Sequence, residues 1–260
     1  MDPLLARRIV NAEISDRNGK TPLIWAADGG HAEIVGMLLR RKEVDCNAST
    51  RTGRTALTVA ARHGHCEVVK LLLVEENIDP NKPSNDRRSP LAWAAEFGKE
   101  GVVKLLLGRG DVDPNKKSSS RKTPLAWAAK GGHAGVVKLL LERKDVNPNT
   151  VDNYRQTPLS LAMNPTYEET VRVLLEREDL DPNIQDKDGL PPLSIAALRG
   201  LYDIVKMLLE RSDINTKLCD RVGNTPLSWA RACRYKAIAE LLKREGTGSN
   251  LPVNGSATPI

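Results

Sequence analysis

Aromatic residues make up only 3% of this 260-residue sequence, and just one of them is Phe. So few rings offer little surface on which nucleic-acid bases can stack, which counts against single-stranded nucleic-acid binding. Long apolar runs are also missing. None approaches the roughly 18 residues of a membrane-spanning helix, and nothing resembles a signal peptide. The expected location is therefore inside the cell, in the cytoplasm or the nucleus, without membrane contact.

Cysteine is scarce, and its spacing excludes several classes of protein. Cys46, Cys66, Cys219 and Cys233 form no Cys-x-x-Cys pair, which argues against a disulfide framework or a zinc ribbon and favours reduced thiols. The sequence also lacks a Gly-rich phosphate loop, a His-Glu-x-x-His motif and a nucleophile elbow. We therefore expect no catalytic residues, no cofactor and no enzymatic activity.

What the sequence does contain is one unit repeated through most of its length. The clearest copy is the segment 123–141, TPLAWAAKGGHAGVVKLLL. Its Thr-Pro-Leu opening, called the anchor below, recurs every 34 residues. The seven anchors begin at Thr21, Thr55, Ser89, Thr123, Thr157, Pro191 and Thr225. A fixed period of this length indicates a stacked repeat array rather than separate globular domains.

Each unit is predicted to fold as a pair of short helices. Thr123 is placed to cap the first helix, and Pro124 suits the first helical position. Gly131 and Gly132 end that helix, after which Val and Leu recur at helical spacing. The polar residues that follow are turn formers and are expected to project as a finger. Because such a hairpin cannot bury its apolar face alone, neighbouring units must stack.

Three histidines follow the same period and mark no metal site. His31, His65 and His133 all stand ten residues after an anchor. Units stacked about 10 Å apart keep them too far from one another to share a metal, whose ligands lie about 2 Å away. His63, His65 and Cys66 are close in sequence but have no evident fourth ligand. We expect structural histidines and no bound metal.

This pattern resembles the ankyrin repeat from about Leu4 to Arg244. The matching features are the Thr-Pro-Leu-x-x-Ala-Ala opening, the Gly-His pairs and the Val-Val-Lys-Leu-Leu-Leu second helix. The resemblance implies an all-α solenoid of helix-turn-helix units with projecting β-turn fingers. Trp after the anchor and Asp-Pro-Asn after the second helix are similar to arrays of filamentous fungi, which often form the C-terminal part of larger proteins such as receptor-like ATPases.

Two departures from that pattern lead to specific expectations. The finger Gly of other units is replaced by Arg87, Arg121 and Arg155. A left-handed backbone without Gly costs roughly 1–2 kcal/mol, so these three fingers are expected to turn differently. In the fifth unit the Gly-His pair is lost, and Thr166 with Glu169 has the spacing of a capping box.

The ends differ from the repeated middle. Residues 1–20 match the rear half of a unit, which suggests an excised fragment, although Asp2-Pro3 could instead start a short closing helix. Residues 21–245 form the seven repeats, and Arg231 and Lys243 make the last unit a polar C-terminal cap. Residues 246–260 are predicted to be a disordered tail.

Aromatic side chains suggest where a partner is bound. Trp25, Trp93, Trp127 and Trp229 stand four residues after an anchor, where other units carry aliphatic residues, so packing between helices is favoured over a ring exposed in the groove. Phe97 occupies a position that is not apolar in other units and is a better contact candidate.

The formal net charge of +6 is unevenly distributed along the array. The first three fingers are strongly basic, whereas positive and negative residues balance in the next three. Aligned fingers predict a basic strip suited to an acidic or phosphorylated partner. The candidate binding residues of strip and groove are Arg51, Arg54, Arg62, Arg87, Arg88, Phe97, Lys116, Lys117, Arg121, Lys122 and Lys130.

Three functions remain open at this stage besides a solvated face that binds nothing. A monomeric array that binds a protein through groove and fingers is favoured. Binding to a nucleic-acid backbone needs the same strip but lacks aromatic platforms. An enzyme is least favoured, since no catalytic constellation is present.

Overall fold

The computed structural model describes residues 12–248, with side chains up to Arg244. Within that range the chain is all-helical, apart from one isolated bridge between Ser49 and Thr55. The helices are α1 Pro22–Asp28, α2 Ala32–Leu39, α3 Ala56–His63, α4 Cys66–Val74, α5 Pro90–Glu96, α6 Glu100–Leu107, α7 Pro124–Gly131, α8 Ala134–Leu141, α9 Pro158–Leu161, α10 Glu168–Leu175, α11 Pro192–Arg199, α12 Tyr202–Leu209, α13 Pro226–Ala232 and α14 Lys236–Gly248. Consecutive helices pair into seven hairpins, as the period predicts.

The anchor residues begin the first helix of each hairpin as expected. Thr55 stays extended, and its hydroxyl oxygen accepts the backbone N–H of Thr58 at 3.2 Å. Ser89 does the same in the third unit. These caps satisfy one of the N–H groups left unpaired at a helix start. Pro191 has no side-chain oxygen, so the sixth unit begins without such a cap.

The predicted core positions are buried where units stack. Leu57, Leu91 and Leu125 are fully buried, and so are the Ala residues three positions after each of them. The first helix of each unit packs against the first helices of its neighbours, so the core runs continuously through the described units. Ala at that position lets adjacent first helices approach closely. The solenoid fold is therefore confirmed.

One edge of the array is held by asparagine side chains that the sequence analysis did not recognise. Asn115 donates its Nδ2 to the carbonyl of Asp145 at 2.7 Å and accepts the N–H of Asn147 at 3.2 Å. Both partners belong to the next unit. The residues that form the same pair of bonds are Asn47, Asn81, Asn149 and Asn183. We call this series the asparagine ladder.

The fingers follow the ladder residues in the chain and are joined through their backbones. The N–H of Asn85 donates to the carbonyl of Thr52 at 3.0 Å, and the N–H of Ser119 donates to that of Asp86 at 2.8 Å. Equivalent bonds continue through Asn153, Lys187 and Arg221. Consecutive fingers therefore lie side by side, which is the alignment that a continuous charged strip requires.

Two sequence-based expectations about turns are wrong. Arg87, Arg121 and Arg155 do adopt left-handed backbone, with φ of 61°, 62° and 58°, in the place of the finger Gly. The backbone bonds between neighbouring fingers hold the turn despite the steric cost. The capping box also fails, because α10 starts at Glu168 and Tyr167 precedes it without a side-chain cap.

The predicted ends lie partly outside the described residues. Residues 1–11 of the predicted half repeat lie outside the described residues. Glu13 accepts the N–H of Asp45 at 3.1 Å, and in later units an asparagine of the ladder accepts the equivalent N–H. At the other end, Arg231 and Lys243 are exposed as expected. Helix α14 continues to Gly248, and residues 249–260 of the predicted tail are outside the described range. None of the described helices has the length and apolarity to cross a membrane.

Candidate functional site

Five of the predicted binding residues form an open basic surface on the fingers. The side chains of Arg51, Arg87, Lys117 and Arg121 are exposed, and Lys116 is half-buried. No carboxylate of the described residues lies within 4.0 Å of their charged nitrogens. We call these five residues the finger strip. Their charge faces solvent on consecutive, aligned fingers.

Lys122 does not belong to this surface. Its side chain is only 8% exposed, and its Nζ lies 2.5 Å from Oδ2 of Asp152, which is completely buried. Asp152 comes from the next finger, so the pair links two units. The charge of Lys122 is thus balanced inside the array, and the proposed binding surface below leaves this residue out.

Arg88 turns away from the strip and covers two tryptophan rings. Its guanidinium carbon lies 4.5 Å from the ring centroid of Trp93 and 3.9 Å from that of Trp127. Asp86, with Oδ2 2.9 Å from Nε, and Glu96 both pair with it. Arg88 therefore acts as an internal connector with its charge compensated.

A second cluster of cations surrounds Trp93. The guanidinium carbons of Arg54 and Arg62 lie 4.6 Å and 5.6 Å from its ring centroid. Phe97 stacks beside the same ring, with centroids 6.1 Å apart and planes 12° from parallel, and Arg62 lies 5.1 Å from it. Phe97 is 40% exposed, so the cluster presents one open aromatic face next to two arginines.

The tryptophans differ in burial. Trp93 and Trp127 are only 5% exposed, in agreement with the core prediction, and Trp229 is half-buried. For Trp25 that prediction is wrong, because 52% of it is exposed. The rings of Trp93 and Trp127 are covered by an arginine from the preceding unit, whereas over Trp25 the described residues place only Lys20.

Groove charges follow a pattern along the first four units. The residue before the anchor and the residue seven after it form an ion pair in the first unit, where Nζ of Lys20 lies 2.8 Å from Oδ2 of Asp28. Arg88 and Glu96 are the same pair in the third unit. In the second unit both positions hold arginine, and in the fourth both hold lysine.

The pair in the first unit is electrostatically favourable. Partial burial disfavours the charged form of Asp28, but the hydrogen bond and the charge of Lys20 outweigh it and hold the pKa of this carboxyl below its usual value. Lys130 in the fourth unit has no such acid, and it is exposed with its Nζ 5.2 Å from the ring centroid of Trp127. Arg54, Arg62, Phe97 and Lys130 are the available residues of the groove.

Two of the three repeated histidines link neighbouring units. One ring nitrogen of His65 lies 3.0 Å from the carbonyl oxygen of Asp28, and that of His133 lies 2.9 Å from the carbonyl oxygen of Glu96. In both cases the carbonyl belongs to the preceding unit. Across the described residues, no group of three His, Cys, Asp or Glu side chains could hold a metal ion.

The outer face carries a separate depression, between α4 and α6. It has a volume of about 690 Å³ and is lined by apolar stems and small residues under a basic rim. Val74 at its margin is 80% exposed. The residues that line it are Cys66, Lys70, Leu73, Val74, Gly101, Lys104, Leu105, Gly108 and Arg109. We call this surface the outer depression.

Comparison with known proteins agrees with the fold. A family model described as ankyrin repeats in three copies matches four overlapping segments, residues 2–84, 44–118, 91–186 and 166–252. A search of curated proteins finds no match to the chain. Ankyrin repeats are generally modules for protein–protein interaction, and the fold is typically non-catalytic. Since the matches cover nearly the whole sequence, the chain belongs to the ankyrin-repeat family.

Proposed function

We propose that this array binds an acidic or phosphorylated segment of a partner protein along the finger strip and the groove. The observation that carries the proposal is that the five cations of the finger strip have no acidic partner among the described residues. In the turns after the second helices, by contrast, Arg109, Arg143, Arg177 and Arg211 are each paired with the aspartate two residues later. The finger strip thus places five cations without such a partner on aligned fingers.

The two surfaces would contribute differently to binding. Exposed, unpaired cations on the fingers accelerate encounter with an acidic segment, and their effect falls as salt is added. The groove residues Arg54, Arg62, Phe97 and Lys130 are positioned for specific contacts, because aromatic and arginine side chains dominate binding energy at interfaces. The array then acts as a monomer, without catalysis or cofactor.

Binding to a nucleic-acid backbone is the second candidate, because the finger strip also suits phosphate groups. The burial of two of the four tryptophans weighs against it. Trp93 and Trp127 are 5% exposed and lie under cations, so they offer no stacking platform for bases.

A test compares two variants that change the net charge equally. The finger variant carries Arg51→Glu, Lys117→Glu, Arg87→Asn and Arg121→Asn, with asparagine chosen because it tolerates left-handed backbone. The control variant carries Lys104→Glu, Lys138→Glu and Lys206→Glu on the exposed faces of α6, α8 and α12. Partners are captured from lysate on each immobilised array and identified by mass spectrometry.

We expect the control variant to recover the same acidic protein as the unchanged array, and the finger variant to lose it. Recovery by all three arrays would show that the finger strip is only solvated surface. Loss in the control variant alone would move the binding site to the outer depression, which Lys104 lines. Recovery of nuclease-sensitive material alone would favour the nucleic-acid candidate.

A further inference from the structure

The groove of the second unit has cations at both positions where neighbouring units have an ion pair. Arg54 precedes the anchor and Arg62 stands seven residues after it. The same two positions hold the Lys20–Asp28 pair in the first unit and the Arg88–Glu96 pair in the third. The second unit therefore has a cation at both positions and a carboxylate at neither.

No acid from elsewhere in the described chain fills this gap. No carboxylate oxygen lies within 4.0 Å of a guanidinium nitrogen of Arg54 or Arg62. Asp28 is close enough for its ionisation to be favoured by Arg62. Its Oδ2 is already paired with Lys20 at 2.8 Å and its Oδ1 with His63 at 3.1 Å.

The two arginines are held in place by aromatic contacts rather than by acids. Both guanidinium groups lie over Trp93, and Arg62 also lies 5.1 Å from Phe97. Both side chains are half-buried, so their charges are less screened than those on the fingers. Stacking on rings leaves the planar N–H edges of a guanidinium free to bind a carboxylate through two parallel hydrogen bonds.

We propose that Arg54 and Arg62 form a slot for one side-chain carboxylate, from a Glu or Asp of the partner protein. The partner thereby supplies the acid that Asp28 and Glu96 supply in the adjoining units, and this contact fixes the position of the partner along the groove. The exposed ring of Phe97 beside the slot receives an apolar side chain next to that acid. This inference rests on the proposed function and names the chemistry recognised in the groove.

The probe is a rhodamine-labelled hexaglutamate peptide, and its binding is measured by fluorescence anisotropy at low salt. The slot variant carries Arg54→Gln and Arg62→Gln. Its control carries Lys138→Gln and Lys206→Gln, which remove the same charge from the outer helices. We expect the slot variant to weaken binding about tenfold or more, because a bidentate pair with a charged group is lost. The control should change Kd by less than about twofold.

Arg62→Glu gives a sharper test, because it places an acid opposite Arg54 as in the first and third units. The introduced carboxylate would then pair with Arg54 and leave no place for a carboxylate of the peptide. We expect loss of hexaglutamate binding beyond that of Lys138→Glu, together with an unchanged or higher urea midpoint. Equal losses for these two single substitutions would show that only overall charge matters, and would overturn the slot.

The outcomes separate this inference from the proposed function. If the finger variant loses hexaglutamate and the slot variant does not, the slot is refuted while the interaction module stands. If the unchanged array does not bind hexaglutamate, both fail. If a phosphoserine peptide binds tenfold tighter than hexaglutamate and depends equally on Arg54 and Arg62, the group that the slot recognises is a phosphate and not a carboxylate.

Discussion

Removing one side chain of the asparagine ladder should measure how strongly adjacent units are coupled. Asn115→Ala deletes two hydrogen bonds to the next unit, the Nδ2 bond to the carbonyl of Asp145 and the bond from the N–H of Asn147. Each contributes about 0.5–1.5 kcal/mol, and water replaces part of it at this exposed edge. We therefore expect the free energy of unfolding to fall by about 1–2 kcal/mol.

The measurement is urea denaturation followed by circular dichroism, with the midpoint compared at an unchanged denaturant slope. For a chain of this size each 1 kcal/mol also lowers Tm by about 2–4 °C. Asn153→Ala is the matched control, since among the described residues its side chain makes a single long bond, of 3.3 Å, to the carbonyl of Ser119. Asn115→Asp should fall between them, because it keeps the acceptor and loses the donor. Equal, small losses for both alanine variants would refute the coupling role.

Two further predictions use pairs of equivalent positions. Trp93→Phe should destabilise the array by about 1 kcal/mol more than Trp127→Phe. The reason is that Nε1 of Trp93 donates to the hydroxyl of Ser84 at 3.1 Å, whereas the buried Nε1 of Trp127 has no partner among the described residues. Equal urea midpoints for the two variants would contradict this. Arg121→Gly should raise the free energy of unfolding by about 0.5–1 kcal/mol, since it relieves left-handed strain worth more than the entropy that Gly adds to the unfolded chain. Lys117→Gly should lower it, and a fall in the thermal midpoint for both would count against the strain.

The features that the sequence predicts well are those set within one unit. Helix starts depend on Thr or Ser at the anchor, and Thr55 and Ser89 cap as expected because the group they bond is three residues away. Burial of Leu57 and its equivalents follows from periodicity, since any stack of hairpins must bury the same positions. These local rules were sufficient to predict the solenoid.

The features that the sequence analysis missed depend on contacts between units. The sequence of its own finger gives Lys122 no acidic partner, and its ion pair with Asp152 forms only because the next unit stacks against that finger. Trp25 and Trp93 occupy equivalent positions, but Trp93 is covered by Arg54 of the preceding unit, whereas the described residues place over Trp25 only Lys20 of its own unit. The Asp-Pro-Asn pattern predicts a turn, but the bonds of the asparagine ladder form only with a neighbouring unit stacked in register. The missing carboxylate beside Arg54 and Arg62, on which the proposed slot rests, likewise becomes visible only by comparison of equivalent side chains across units.

The asparagine ladder has a consequence for how such arrays change in length. Each ladder side chain bonds to a carbonyl and an N–H of the next unit, groups that almost every amino acid carries. The bonds between fingers likewise join backbone to backbone. A unit therefore fits against a neighbour of quite different sequence. Duplication, loss or exchange of whole 34-residue units keeps these joints intact, so the groove can acquire new side chains without redesign of the scaffold.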